Sequence, residues 1–302
     1  MVANSKLSVL FIFYLFLFLF RLSIFSSQPP EHNEQKDTTI YCFKYNFKTG
    51  DTLIYLVHSY DSILIDFGKP LLKVRNEIYR VICENSKQSG TFLLSIELLE
   101  FRGRDFQDTN FVEYYDSDWK NRKIFIEIDS LGNRLNFWVD DTTKSGRAPG
   151  GPFQPHLFFA INETCKRKNE TWLVRVTDDL PENGIPVPRM NHTMLFKMVG
   201  ELDTLGEAVI RSEFIRTGQG YLQLQYQQNK MKVSAVINSY GFIDFSKLRG
   251  VPAHLFTTVE QKLNFKTDET ESVGKHFIYT NYTLIDYREA PRMLRTVKKR
   301  KK

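Results

Sequence analysis

Three cysteines in 302 residues are too few for a disulfide scaffold. The chain contains no CxxC, HExxH, GxSxG or P-loop, so thiol exchange, zinc-peptidase, α/β-hydrolase and phosphate-loop chemistries each lack their motif. The body also lacks a surplus of either charge. The formal net charge is +6, yet residues 292–302 (RMLRTVKKRKK) hold seven basic side chains and no acid. Subtracting those seven leaves −1, and removing Lys6 and Arg21 as well leaves −3 for residues 22–291. No basic face spread through the fold argues for specific nucleic-acid binding. The tail itself is a polyanion-attracting cluster, open to an anionic membrane or an envelope polymer, or else a solvated terminus. At 42% apolar and 25% charged residues the chain is an ordinary globular protein, neither disordered nor a multi-span membrane protein.

What is present begins with a leader. Lys6 precedes fourteen uncharged residues, LSVLFIFYLFLFLF (7–20), before Arg21 and LSIFSSQPP. A basic start, a short apolar stretch and small residues make the pattern of a secretory signal. A spanning helix needs about 20 apolar residues, and Arg21 interrupts the run before that. Cleavage near Ser26–Gln28 is favoured over an uncleaved N-terminal helix that would hold the protein to the membrane. The expected address is therefore exported, periplasmic or secreted. Export would place Cys42, Cys83 and Cys165 in an oxidising compartment, where two of them can pair; which two is left open. Cys83 closes an apolar-rich strand pattern and reads as a small buried hydrophobe.

The organisation expected is a signal or anchor at 1–27 and a polar linker at 28–39. One β-rich domain follows at 40–288, in halves of about 40–141 and 166–288, and then a basic tail at 289–302. YCFKYNFK (41–48) alternates strictly, with Tyr41, Phe43, Tyr45 and Phe47 on one face. Further strand patterns lie at 52–60, 62–67, 71–83, 91–101, 123–129 and 134–140. The second half continues with 171–177, 208–216, 221–228, 231–238, 255–265 and 276–287. Turns are expected at Ser130–Asn133 and Thr217–Gly220. One helix candidate is 252–263, with Leu255, Val259 and Leu263 at four-residue steps, although Thr257, Thr258 and Val259 weaken it. IEIDSLGNRLNF (126–137) echoes GELDTLGEAVIRSEF (200–214), each a strand, a D-[ST]-L-G turn and a returning strand. The turn-rich stretch 141–166 reads as a hinge between halves or a long loop over one edge. The fold class is mainly β: a curved antiparallel sheet, half-barrel or sandwich built from two related halves, with few helices.

FKTGDTLIY, LFFAINETCKRKNETWLVRVTDDLPENG and VGELDTLGEAVIRSEF together resemble a family of uncharacterised, exported, β-rich bacterial envelope proteins. The resemblance covers most of residues 40–287. It implies an envelope protein with a curved β-sheet, akin in fold to lipoprotein-carrier half-barrels, and carries over no activity or catalytic residue.

The residues offer little chemistry. Ser117-Asp118-Trp119-Lys120 matches SxxK and Lys48-Thr49-Gly50 matches KTG, two marks of penicillin-binding enzymes, but in reversed order and outside the required helix. His32, His58, His156, His192, His254 and His276 are scattered, with none at metal spacing. His156, before Leu157-Phe158-Phe159, is the one placed to sit at a pocket mouth. Asp140-Asp141 and Asp178-Asp179 are strand-end acids whose neighbours point to opposite faces. Sequons at Asn162, Asn169, Asn191 and Asn281 are about as many as chance gives. Aromatic residues, at 14%, are the suggestive feature. They fill a core or line a concave apolar surface, for which Phe158, Phe159, Trp138 and Trp172 are candidates.

The expectation is thus a non-enzymatic exported protein that binds a hydrophobic ligand or lipid in a curved sheet, with no cofactor, metal or catalytic residue. The alternative is a structural or protein-interaction component of the envelope. A hydrolase is the third reading, to be revived by a cleft holding a His–carboxylate pair in hydrogen-bond reach.

Overall fold

Period-two alternation becomes strand almost wherever it occurs. The structure, a computed structural model, describes residues 38–66, 68–107, 110–140, 157–162, 165–178, 189–204, 206–226 and 229–289. The leader, the basic tail, His32, His156, Asp141 and Asp179 lie outside the described residues. In chain order the strands are β1 (Ile40–Cys42), β2 (Thr52–Ile65), β3 (Leu71–Ser86), β4 (Thr91–Gln107), β5 (Asn110–Tyr114), β6 (Lys123–Asp129) and β7 (Arg134–Val139). They continue as β8 (Cys165–Arg167), β9 (Thr171–Asp178), β10 (Arg189–Thr204), β11 (Glu207–Tyr226), β12 (Asn229–Ser246), β13 (Pro252–Lys266) and β14 (Glu271–Arg288). No helix occurs among the described residues.

The protein is an all-β protein with one large antiparallel sheet of twelve strands and a two-stranded β1–β8 sheet. Across the large sheet the order is β7-β6-β4-β3-β2-β14-β13-β12-β11-β10-β9, with β5 paired to β4. Two meanders thus follow one another in the same sense, joined where β2 meets β14 in the middle. The two outer strands are not hydrogen-bonded to each other, so the sheet is not a closed barrel.

Several expectations are corrected. Residues 252–263 are not helical but belong to β13, with Leu255, Thr257, Val259 and Gln261 buried on one face. Thr217–Gly220 is not a turn: β11 runs straight through it for 20 residues. Gly218 is required there by close approach, since a Cβ would come within 2.6 Å of Asn191 O. The patterns at 52–60 and 62–67 are one strand; β5, β8 and the part of β10 before residue 200 have no counterpart among the expected strands. Both D-[ST]-L-G turns do form hairpins, with Gly132 (φ 81°) and Gly206 (φ 79°) in the left-handed region. They join β6 to β7 and β10 to β11, which are different steps of the two meanders.

The segment read as a strand over 41–48 pairs as strand only through Cys42. Its alternation still decides burial: Phe43, Tyr45 and Phe47 are buried, while Lys44, Asn46 and Lys48 are exposed. It threads the core instead, with Tyr45 N donating to Ser130 O and Asn46 N to Gly250 O. Phe43 packs 5.7 Å from Trp172, Tyr45 5.2 Å from Phe245 and Phe47 5.3 Å from Phe92. Each such ring contributes about 1.5–3 kcal/mol through burial. The Cys42–Cys165 disulfide anchors the start of this thread to β8. Cys83 is free and buried, as its apolar setting suggested.

Residues 157–161 fill the other side of the core. Ile161 N donates to Leu131 O in the β6–β7 turn, and Ile161 O accepts from Trp172 Nε1 of β9. Those strands are at opposite edges, about 45 Å apart in a flat sheet at a 4.8 Å strand spacing. One residue bridges both, so the sheet is rolled around its buried face at this end. The expected hinge or edge loop is, over its described part, a core-filling strap.

Candidate functional site

From the middle of the long strands toward the opposite end, the exposed face is recessed. A twisted sheet is saddle-shaped and concave on each face along one diagonal. Two adjoining recesses of about 1050 Å³ and 600 Å³ lie there, lined from β2 and from β10 to β14. They form a trough that crosses the strands.

Register explains its composition. Leu173 of β9 is opposite Leu195, which is opposite Ile215, and Ile215 is opposite Tyr240. Tyr240 is opposite Thr258, then come Tyr279 and Tyr60 of β2. One residue from each of seven neighbouring strands therefore makes a single row. All but Thr258 are large and apolar or aromatic, and those six are 41–61% exposed. Phe277, 47% exposed, adds to the next row. Isolated exposed apolar residues are unremarkable, but a contiguous row that runs into a recess, as this one does from Ile215 to Tyr60, marks a binding surface.

Two rows further along, the chemistry changes. Asn191, Gln219, Val236, Lys262, Lys275 and Leu64 are successive cross-strand partners, and all line the larger recess. Lys262 and Lys275 stand directly opposite each other and make no ion pair or hydrogen bond among the described residues. Arg189 lines the same recess. Asp66, whose Oδ1 accepts from Val273 N, also lines the larger recess, and Glu260 lies in the smaller one.

Polar groups also collect elsewhere. On the buried face, Arg75 Nε donates to Asp61 Oδ2 at 3.0 Å and Nη1 to Glu77 Oε1 at 3.3 Å. Their side chains are only 9%, 4% and 3% exposed. Burial drives the Glu77 carboxyl above its ordinary range despite the attraction of Arg75. His276 Nε2 lies 3.7 Å from Asp61 Oδ1, and Gln261, opposite His276, is buried with neither amide atom hydrogen-bonded. On the exposed face, toward the rolled end, Arg211 grips Asp244 with two 2.7 Å bonds and lies 3.9 Å over the Phe242 ring. Burial would raise the Asp244 pKa, but the bonds from Arg211 and His254 outweigh it and hold it low.

Among the described residues, two His–carboxylate pairs come within 4 Å: His254 with Asp244 and His276 with Asp61. His254 Nδ1 is 3.4 Å from Asp244 Oδ2, and its Nε2 faces Asn281 Oδ1. Both ring nitrogens thus face oxygens of the protein itself. His276 is buried on the far face from the trough. Of the other histidines, His58 bonds Asn76 at 2.7 Å and His192 lies on β10.

The aromatic candidates for a ligand surface are corrected. Phe158, Phe159 and Trp172 are core residues, 1%, 9% and 5% exposed, and Trp138 stacks 5.3 Å from Phe125 near the far edge. The residues that do line the trough were missed because each comes from a different strand. The signal was present as apolar residues in the polar phase of alternation, such as Ile215 in RSEFIRT and Tyr240 in VINSYGF. Asp140 accepts from Lys123 N as a strand-end acid. Of the sequons, Asn162 and Asn169 take left-handed conformations, Asn191 lines the trough and Asn281 holds His254. The chain matches no protein-family model and none of the curated proteins.

Proposed function

We propose that this is an exported, non-enzymatic protein of the bacterial envelope that binds a hydrophobic ligand on the exposed face of its curved sheet. The observation that carries the reading is the solvent-exposed cross-strand row from Leu173 to Tyr60, of which Ile215, Tyr240, Tyr279 and Tyr60 lie inside a recess. A folded chain gains nothing by holding six large apolar side chains in water on six different strands. Covering them by a ligand is favourable, at about 25 cal/mol per Å² of apolar surface removed from water. The Cys42–Cys165 bond supports the exported address, because disulfides persist in oxidising compartments.

The test is native mass spectrometry of the protein purified gently from a bacterial periplasm, followed by solvent extraction of any adduct. A stoichiometric lipid-sized adduct, lost in Ile215→Asp and Tyr240→Asp variants that keep the parent circular dichroism, is the expected result. A clean apo mass with no uptake from offered lipids would overturn the reading.

A further inference from the structure

The trough is amphipathic across its width, in the direction of the strands. Its apolar row passes through Thr258, and the lysine pair stands four residues further along β13, about 13 Å away at 3.3 Å per residue. Like charges directly opposite each other in a sheet are destabilising. Lys262 and Lys275 occupy such a position in the floor of a recess, with no counter-ion from the described residues. Lysines in a strand normally relieve such opposition by pairing with a neighbouring acid, as Lys73 does with Asp105 at 2.9 Å. Glu260, two residues before Lys262 on the same face, does not do so here. The arrangement is what an anion would complete.

We propose that the trough takes an individual anionic amphiphile, its chain lying across β11 to β14 and β2 on the apolar row and its acid group between Lys262 and Lys275. This rests on the hydrophobic-ligand reading above and adds the headgroup chemistry: a carboxylate or phosphate on a single chain. Arg189 borders the same end of the recess. Glu260, between chain and head, disfavours an acid group placed any closer to the aromatic row. The polarity of the ligand is thereby fixed, with its head toward the β13–β14 turn.

Isothermal titration calorimetry on the full chain, below micelle concentrations, distinguishes the parts of this inference. Dodecanoate should bind at least about tenfold more tightly than dodecanol at low salt, and lose that advantage at high salt. Lys262→Gln/Lys275→Gln should abolish the preference while leaving dodecanol binding intact. The same variant should melt at a higher temperature than the parent without ligand, because the repulsion is gone. Glu260→Gln should tighten dodecanoate. Equal affinity for dodecanoate and dodecanol, or an equal loss of both in the double variant, would overturn the headgroup assignment and leave the apolar trough standing. Binding of neither would overturn the underlying reading. Binding only to phosphatidylglycerol vesicles, never to monomeric dodecanoate, would mean a membrane-docking face and would also overturn the proposal.

Discussion

Arg75 stands between Asp61 and Glu77 with almost no solvent, and replacing it by Met should be among the most damaging single changes in the chain. Met roughly fills the volume, so the loss is electrostatic. Two carboxylates now 3.0 and 3.3 Å from the guanidinium would be left buried without their cation. Removing one partner of a buried ion pair costs about 3–5 kcal/mol. Native stabilities are commonly about 5–15 kcal/mol, so about a fifth or more would be lost. The loss should depend on pH. Glu77 already has a raised carboxyl pKa, and without Arg75 it rises further. A carboxyl with a raised folded-state pKa costs stability as pH climbs through that value and restores it as pH falls toward 4.5. Urea denaturation followed by circular dichroism should show Arg75→Met far below the parent near pH 7 and closer to it near pH 5. Removing all three charges, as Asp61→Leu/Arg75→Met/Glu77→Leu, should recover to within about 1 kcal/mol of the parent. A deficit under about 1 kcal/mol for Arg75→Met near pH 7, or one indifferent to pH, would refute the argument.

Gly132→Ala should cost about 3 kcal/mol or more, because its Cβ would sit 2.1 Å from Phe159 O, whereas Gly206→Ala, with the same φ and open space, should cost about 1 kcal/mol; chemical denaturation reads the contrast. Cys42→Ser/Cys165→Ser should lose about 2–5 kcal/mol and make the melting temperature insensitive to reductant. Glu77 and Asp244 should pull in opposite directions with pH. Asp244 has a lowered pKa, so its contribution is present above 3.8 and lost as pH falls through its folded value. Asp244→Asn should flatten the acid limb of a stability profile, and Glu77→Gln should flatten the decline above 4.5.

Much of the sheet was legible in the sequence, and the exceptions have physical causes. Residues 252–263 imitate a helix because Leu255, Val259 and Leu263 are four apart, and every fourth residue of a strand also shares a face. The intervening buried positions, Thr257 and Gln261, are polar and hid the period of two. Thr217–Gly220 carries turn composition, but Gly218 serves backbone crowding beside His192 within a long strand. Phe43, Tyr45 and Phe47 disclosed a buried face without disclosing that the segment lacks ladder partners. The trough was out of reach for another reason. Tyr60, Ile215, Tyr240 and Tyr279 are far apart in sequence and become a surface only through the register of β2 with β14 and of each later strand with the next. Alternation within a strand fixes which face a residue takes, not which residue of another strand stands beside it.

The pairing of β2 with β14 has a consequence for the order in which the molecule can be made. Tyr287 donates to Asp51 Oδ2 across 236 residues, so the central ladder joins the beginning of the domain to its end. Every other ladder in the large sheet joins strands that are close in sequence and can zip as they emerge. A growing chain therefore builds β2 to β7 with β2 as a bare edge, and that edge stays open until the last strand is released. Closing it costs about 5 kcal/mol of chain entropy by the logarithmic loop-length rule. Folding should be slow for so regular a sheet, and its vulnerable interval is the one in which β2 still offers its unpaired backbone to another chain.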